Sequence, residues 1–211
     1  MQRQPKSIAT DFYEKVYWNN HKSVAGIDEA GRGALAGPVA AAAVIIPPKV
    51  LSDYGINDSK KISANKRKQF FEFITLNCLT YAFSFIDNEI IDEINVLQAT
   101  IRAMKESVLK LKIKPDHLLI DGNYFRSFGI PFTTIVHGDE KSLSIASASI
   151  IAKVSRDRWM TEVADIEYPD YGFAVHKGYG TPGHLAAIRQ YGLTPIHRKT
   201  FLEKYTLPSL F

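Results

Sequence analysis

SVAGIDEAGRGALAGPVAAAAVII, residues 23–46, decides the architecture. Residues 23–28 read as a strand whose apolar residues run toward a carboxylate pair, Asp28-Glu29. Three glycines follow within seven positions, Gly31, Gly33 and Gly37. Glycine permits positive φ and lets backbone approach another group closely. Residues 38–46 resume as a second strand, dense in Ala and Val, and the small side chains predict close packing over it. Pro47-Pro48 ends it.

Outward from this hairpin, residues 49–62 read as a loop holding Asp58-Ser59-Lys60-Lys61. Ser63 caps a helix to about Asn77, with Phe70, Phe73 and Ile74 near one face. Residues 79–87 alternate as a strand, with Leu79, Tyr81, Phe83 and Phe85 on one side. Ile94, Leu97, Ile101, Met104, Val108 and Leu111 draw one helical stripe. HLLID at 117–121 and residues 130–136 are two further strands. Residues 144–164 form a helix with a small-residue face. Thr181-Pro182 opens a short helix that Gly192 stops, and Thr194-Pro195 precedes a last one over 196–205. Three strands and then alternation predict an α/β fold around a mixed sheet.

The chain has 211 residues, 45% of them hydrophobic, enough for a real core and against bulk disorder. One cysteine, Cys78, excludes an internal disulfide framework and a cysteine-rich zinc module. The polar start, MQRQPKSIATDFYEK, lacks the apolar region of a signal peptide, and no run is long enough to span a bilayer. The expected setting is cytoplasmic, with no membrane partner, and the expected state is a monomer. The net charge is +4, and the surplus sits after Asp170, where five Lys/Arg face Glu203 alone. A basic region beside a neutral body points to a polyanion such as nucleic acid.

Asp28-Glu29, Asp121 and Asp139 each stand at or just after the end of a predicted strand, where they would converge on one crevice. Four carboxylates together repel unless cations lie between them, and Mg²⁺ or Mn²⁺ is the natural choice for such oxygen ligands. Two such ions suit phosphoryl transfer without a serine or cysteine nucleophile. The competing reading is that Asp-Gly and Gly-Asp are ordinary turns. Asp157, between Arg156 and Arg158, reads as a helix ion-pair residue. Gly31-Arg32-Gly33 fits neither a P-loop nor a dinucleotide fingerprint; its backbone could reach a phosphate or a 2′-hydroxyl. His176, Lys177, Tyr179 and Thr181 gather an imidazole, a cation, an aromatic ring and a helix start, suited to sugar stacking and phosphate. His197-Arg198-Lys199 reads as a second basic patch.

Six stretches in order resemble the bacterial type 2 ribonuclease H family, ribonuclease HII: GIDEAGRGALAGPV at 26–39, NDSKKIS at 57–63, LLIDGN at 118–123, HGDEKSLSIASASIIAKVSRDR at 137–158, YPDYGFAVHKGYGT at 168–181 and HRKTF at 197–201. The resemblance implies an RNase H-like fold, with a five-stranded mixed sheet flanked by helices and a small helical C-terminal extension. It divides the chain into a lead-in at 1–22, a catalytic core at 23–165 and a basic helical region at 166–211. It makes Asp28, Glu29, Asp121 and Asp139 the catalytic and metal-binding set for Mg²⁺ or Mn²⁺ in a two-metal mechanism. It makes Gly31, Arg32 and Gly33 the reader of the 2′-hydroxyl and Tyr179 the residue that stacks on the sugar at a ribonucleotide–deoxyribonucleotide junction. Lys60, His176, Lys177 and Thr181 fall beside the substrate path. The implied activity is endonucleolytic hydrolysis of RNA in RNA–DNA hybrids, and incision 5′ of single ribonucleotides in duplex DNA, leaving 3′-hydroxyl and 5′-phosphate ends. Alternatives are a type 3-like nuclease needing several consecutive ribonucleotides and a non-catalytic nucleic-acid binder on the same fold. A first strand near Ser23 is expected to leave no room for the N-terminal domain of type 3 relatives. LPSLF at 207–211 faintly resembles peptides that dock on the sliding clamp, without their leading glutamine, and implies at most a weak contact.

Overall fold

The alanine-rich stretch becomes the second of five strands and is buried along its whole length. The computed structural model describes residues 9–48, 56, 59 and 62–206, without the side chains of 204–206. In chain order the main elements are α1 (Phe12–Trp18), β1 (Val24–Ala30), β2 (Val39–Ile45), α2 (Ala64–Asn77), β3 (Thr80–Ile86), α3 (Asn88–Leu109), β4 (His117–Asp121), β5 (Phe132–Ile135) and α4 (Leu143–Trp159). The short helices α5 (Asp165–Glu167), α6 (Phe173–His176), α7 (Pro182–Tyr191) and α8 (Lys199–Thr206) follow.

The sheet order is β3-β2-β1-β4-β5. β1, β2 and β3 pair antiparallel, whereas β4 and β5 join β1 in parallel. One face packs on α3 through Ala25, Ile27, Ala41, Ala43, Met104 and Val108. The other packs on α2 and α4 through Ala42, Val44, Ile74, Ile150 and Ile151. Each large aliphatic side chain buried this way stabilises the fold by about 1.5–3 kcal/mol. Small residues set how close the layers come. A methyl group on Gly26 of β1 would lie 2.1 Å from the Ser144 carbonyl carbon and 2.3 Å from the Ile145 nitrogen. The first turn of α4 therefore rests directly on β1.

Several expectations shift. β1 does not end at the carboxylate pair but runs on to Ala30, and the chain turns at Gly31, where φ is +91°. The stripe assigned to residues 94–111 packs on the core from Ile94 to Leu111 but is interrupted near its start. Asn95 breaks the helical backbone with φ 65° and ψ 160°, and its side chain accepts from the Leu97 and Gln98 N–H groups. Ile101, Met104 and Val108 are buried after this break, but Leu97 is exposed and Leu111 lies past the helix end. In β3 the aromatic side is the outer one. Tyr81 and Phe83 are exposed, and Thr80, Ser84 and Ile86 are buried. Ser84 faces α3, where its hydroxyl donates to Glu106.

Candidate active site

Strand register brings the first two carboxylates together. The last backbone pair between β1 and β4 is Ile27–Ile120, so Asp28 and Asp121 come next, on neighbouring strands. Both follow the alternation that puts Gly26 and Leu119 toward α4. Asp121 also pairs with Ile135 at the end of β5. From there the chain turns through His137, held left-handed at φ 55°, into a single 3₁₀ turn, Gly138–Glu140. The Gly138 N–H donates to Asp121 Oδ1 at 2.7 Å. A side chain at 138 would meet Ile145 Cδ1 at 2.6 Å, so glycine allows this approach. The turn delivers Asp139 to the same point.

One carboxylate oxygen from each of Asp28, Asp121 and Asp139 lies within 4.8 Å of the others. Asp28 is 2% exposed. Its Oδ1 accepts from the Glu29 N–H at 2.7 Å, while its buried Oδ2 has no hydrogen-bond partner. Burial pushes the Asp28 carboxyl well above its usual range, and the charges of Glu29 and Asp121 push it further. Three converging acidic groups, one with a buried oxygen that no donor satisfies, form an oxygen-only donor set suited to a hard divalent cation. Glu29 stands beside this cluster rather than in it. Its Oε1 accepts from Arg32 Nη1 at 3.2 Å.

Glu29 instead lines a cleft of about 530 Å³ with Gly31, Arg32, Gly33, Arg67, Lys153 and Tyr179, among others. The cleft joins two of the motifs singled out in the sequence, more than 140 positions apart. Tyr179 is half-buried, with Lys153 and Arg156 over its ring at 5.4 and 5.3 Å. Asp157 pairs with Lys153 at 2.8 Å, a helix ion pair and not a member of the acid cluster. Thr181 caps α7, its hydroxyl accepting from the His184 N–H. The Lys177 ammonium donates to Thr161 and to the Ala174 carbonyl, and His176 Nε2 lies 2.7 Å from the Tyr171 carbonyl. These three side chains are thus held by the C-terminal region and, for Lys177, by Thr161. Lys60 and the 207–211 peptide lie outside the described residues.

The basic patch at 197–199 needs correction. His197 and Arg198 are buried, at 1% and 0% exposure. Arg198 donates to the carbonyls of Gly37 and Arg32, and Arg156, also fully buried, donates to those of Pro38, Ala36 and Lys177. A methyl group on Gly31 would sit 1.9 Å from Arg156 Nε. The two guanidiniums hold the glycine-arginine turn from beneath. Burial lowers both pKa values, that of Arg198 to about 9. Sequence reading passed over Arg156 in this role because a partner made of backbone carbonyls leaves no motif. It also passed over Glu14 of α1, which is fully buried and accepts from the Ser142 hydroxyl and from the Ser144 hydroxyl and N–H at the start of α4.

Comparison with known proteins is consistent across sequence and fold. The family model described as Ribonuclease HII matches residues 25–204. A ribonuclease HII of Endomicrobium trichonymphae is 54% identical over 197 residues, covering 92% of this chain and 90% of its own length. The ribonuclease H2 of Pyrococcus horikoshii superposes with a TM-score of 0.71 at 28% identity, over 84% of this chain and 93% of that one. The RNase HII solved in complex with PCNA from Archaeoglobus fulgidus gives a TM-score of 0.73 at 26% identity, over 84% and 94%. The five-stranded mixed sheet with flanking helices is the fold these proteins share with this chain.

Proposed function

This chain belongs to the ribonuclease HII family, and from that premise we propose that it incises 5′ of single ribonucleotides in duplex DNA as well as within RNA–DNA hybrids, with Mg²⁺ or Mn²⁺. That it is a ribonuclease H, an endonuclease, follows from the family itself. The observation that carries the finer reading is the Asp28, Asp121 and Asp139 cluster, with its partnerless Asp28 Oδ2, beside a cleft walled by Gly31-Arg32-Gly33 and Tyr179.

Asp28, Asp121 and Asp139 would hold the cations, and Glu29 would add its carboxylate from the cleft side. Bound there, the ions supply Lewis-acid stabilisation of charge building on the phosphate oxygens. The chain's own residues do the rest. The Gly138 N–H fixes the Asp121 carboxylate, and the Glu29 N–H fixes that of Asp28. Preorganised ligands need no rearrangement during the reaction. Exposed Arg32 and Gly33 present the turn to the sugar edge, where a 2′-hydroxyl both donates and accepts. Tyr179 offers a ring face for the neighbouring sugar. Hydrolysis would leave 3′-hydroxyl and 5′-phosphate ends.

The test is a labelled duplex with one embedded ribonucleotide, incubated with Mg²⁺ or Mn²⁺ and separately with EDTA. One cut 5′ of the ribonucleotide, abolished by EDTA and by Asp28→Asn or Asp121→Asn, is expected. Cutting only at runs of ribonucleotides, or normal cutting by either variant, would overturn the reading. A clamp contact through residues 207–211 has for support that the archaeal relative was solved with PCNA; deleting Leu210 and Phe211 should then weaken binding to the bacterial clamp.

A further inference from the structure

Three histidines of the C-terminal region form a linked cluster beside the Tyr179 turn, and the proposed chemistry uses none of them. His176 and His184 stack at 4.3 Å with 15° between their rings, and His184 and His197 follow at 5.2 Å. His184 and His197 are 0% and 1% exposed.

Their hydrogen bonds define every tautomer. The Thr194 N–H donates to His197 Nδ1 at 2.8 Å, so that nitrogen accepts and Nε2 carries the hydrogen. His197 Nε2 meets His184 Nε2 at 3.1 Å, which makes the His184 nitrogen an acceptor. His184 Nδ1 then donates to the Tyr179 carbonyl at 3.0 Å. His176 obeys the same rule, accepting from the Gly178 N–H at Nδ1 and donating from Nε2 to the Tyr171 carbonyl. Each ring is thus a neutral imidazole with one donor and one acceptor. Burial agrees with this, lowering the pKa values of His184 and His197 to about 4.

The cluster grips the turn that carries Tyr179. The Tyr179 N–H donates to the His176 carbonyl, and its own carbonyl accepts from both His184 and the Thr181 N–H. Lys177 and Gly178 are both left-handed, at φ 53° and 78°. On the far side, Gly178 accepts at its carbonyl from the Leu35 and Ala36 N–H groups, next to the glycine-arginine turn. The Tyr179 turn is therefore bracketed by the linked imidazoles and by the segment proposed to read the sugar.

We propose that His184 and His197 are positioning residues that set Tyr179 against the cleft and thereby govern preference for the ribonucleotide–deoxyribonucleotide junction. The inference rests on the reading of Tyr179 given above and goes beyond it, because neither imidazole faces the cleft. An imidazole suits the task because it alone among neutral rings donates and accepts at opposite edges. Losing the hydrogen bond to the Tyr179 carbonyl frees a turn already held in an unfavourable backbone conformation.

The experiment compares kcat and KM on two duplexes, one with a single ribonucleotide and one with about four in succession. Tyr179→Ala should lower the preference for the single ribonucleotide. His184→Leu should lower it in the same direction by about five- to tenfold, as loss of one buried hydrogen bond implies, with the Mg²⁺ concentration for half-maximal rate unchanged. His184→Gln, which keeps one donor and one acceptor, should recover most of the preference. On the Tyr179→Ala background, His184→Leu should add little. If His184→Leu fails to fold, as judged by circular dichroism, His197→Leu, which removes the donor to His184 Nε2, carries the same expectation. Wild-type preference in a folded His184→Leu protein, or losses that multiply independently with those of Tyr179→Ala, would overturn the proposal. An unchanged preference in Tyr179→Ala would overturn the reading of Tyr179 and this inference with it.

Discussion

Gly26→Ala is the smallest change that tests how the site is assembled. The added methyl group would stand 2.1 Å from the Ser144 carbonyl carbon, 2.3 Å from the Ile145 nitrogen and 2.4 Å from the Ser144 oxygen. All three atoms are backbone in the first turn of a buried helix, so no side chain can swing away. Restoring ordinary contact near 3.4 Å means separating β1 from α4 by about 1.3 Å. Glu14 resists that movement, because its carboxylate holds Ser142 and Ser144. Overpacking of this kind costs about 1–3 kcal/mol, and a backbone clash belongs at the upper end. For a chain of this size, about 3 kcal/mol lowers Tm by roughly 6–12 °C. The displacement also reaches the site, since Asp28 lies two positions on in β1 and Asp139 lies in the turn just before α4. A shift of about 1 Å in reacting groups costs on the order of 100-fold in rate. The assay is thermal unfolding in EDTA, with initial rates on a hybrid duplex at saturating Mg²⁺. A Gly26→Ala protein with wild-type Tm and rate would show that β1 and α4 do not press together as described.

Three further outcomes follow from the same geometry. Asp28→Asn should abolish turnover yet raise Tm in EDTA. The folded pKa of Asp28 lies above its usual 3.8, so as pH rises past that value the unfolded chain ionises first and stability is lost; a lower Tm than wild type at neutral pH would contradict this. Glu14→Ala leaves two buried serine hydroxyls and one N–H of α4 without their acceptor and should cost on the order of 3 kcal/mol in urea unfolding; a change below about 0.5 kcal/mol would refute the contact. For His184 and His197 the folded pKa of about 4 lies below the usual 6.5. Protons then bind the unfolded chain first, so stability present above about pH 6.5 is lost progressively toward pH 4. A His184→Gln, His197→Gln double variant should show a shallower decline of Tm over that window, and an identical slope would count against neutral imidazoles.

The parts of this fold that could be read from the chain are those whose cause is local. A short run of Ala, Val and Ile bounded by Gly37-Pro38 and Pro47-Pro48 fits a buried strand, and β2 is one. Thr181 before Pro182 caps a helix through contacts three residues away. The acid cluster was readable as an expectation because Asp28 and Asp121 each follow a short apolar run, and parallel register then sets them side by side. What escaped was decided by distant partners. Glu14 looks like any helix surface residue until Ser142 and Ser144, about 130 positions later, enclose it. Leu97 keeps the helical spacing, yet it falls in the first turn after the break at Asn95 and is exposed, and a break of backbone angle leaves no mark on hydrophobic periodicity.

His197-Arg198 shows the same limit in its most consequential form. A cationic run normally signals a solvated face, because burying charge without a carboxylate is costly. Here Arg198 and Arg156 are buried on backbone carbonyls of the turn at 32–38 and of Lys177. Carbonyl dipoles satisfy the donors but do not cancel the charges. Both guanidiniums therefore keep a positive potential under the turn and under Tyr179, where a phosphate backbone would run. The planar five-donor fork of arginine makes this possible, and lysine, with a point charge and three donors, could not reach the same carbonyls. Arg198→Lys should accordingly fail to restore what Arg198→Met loses in affinity for a hybrid duplex. Full rescue by lysine would mean that charge alone, rather than the fork that ties Arg32 to Gly37, supports the turn.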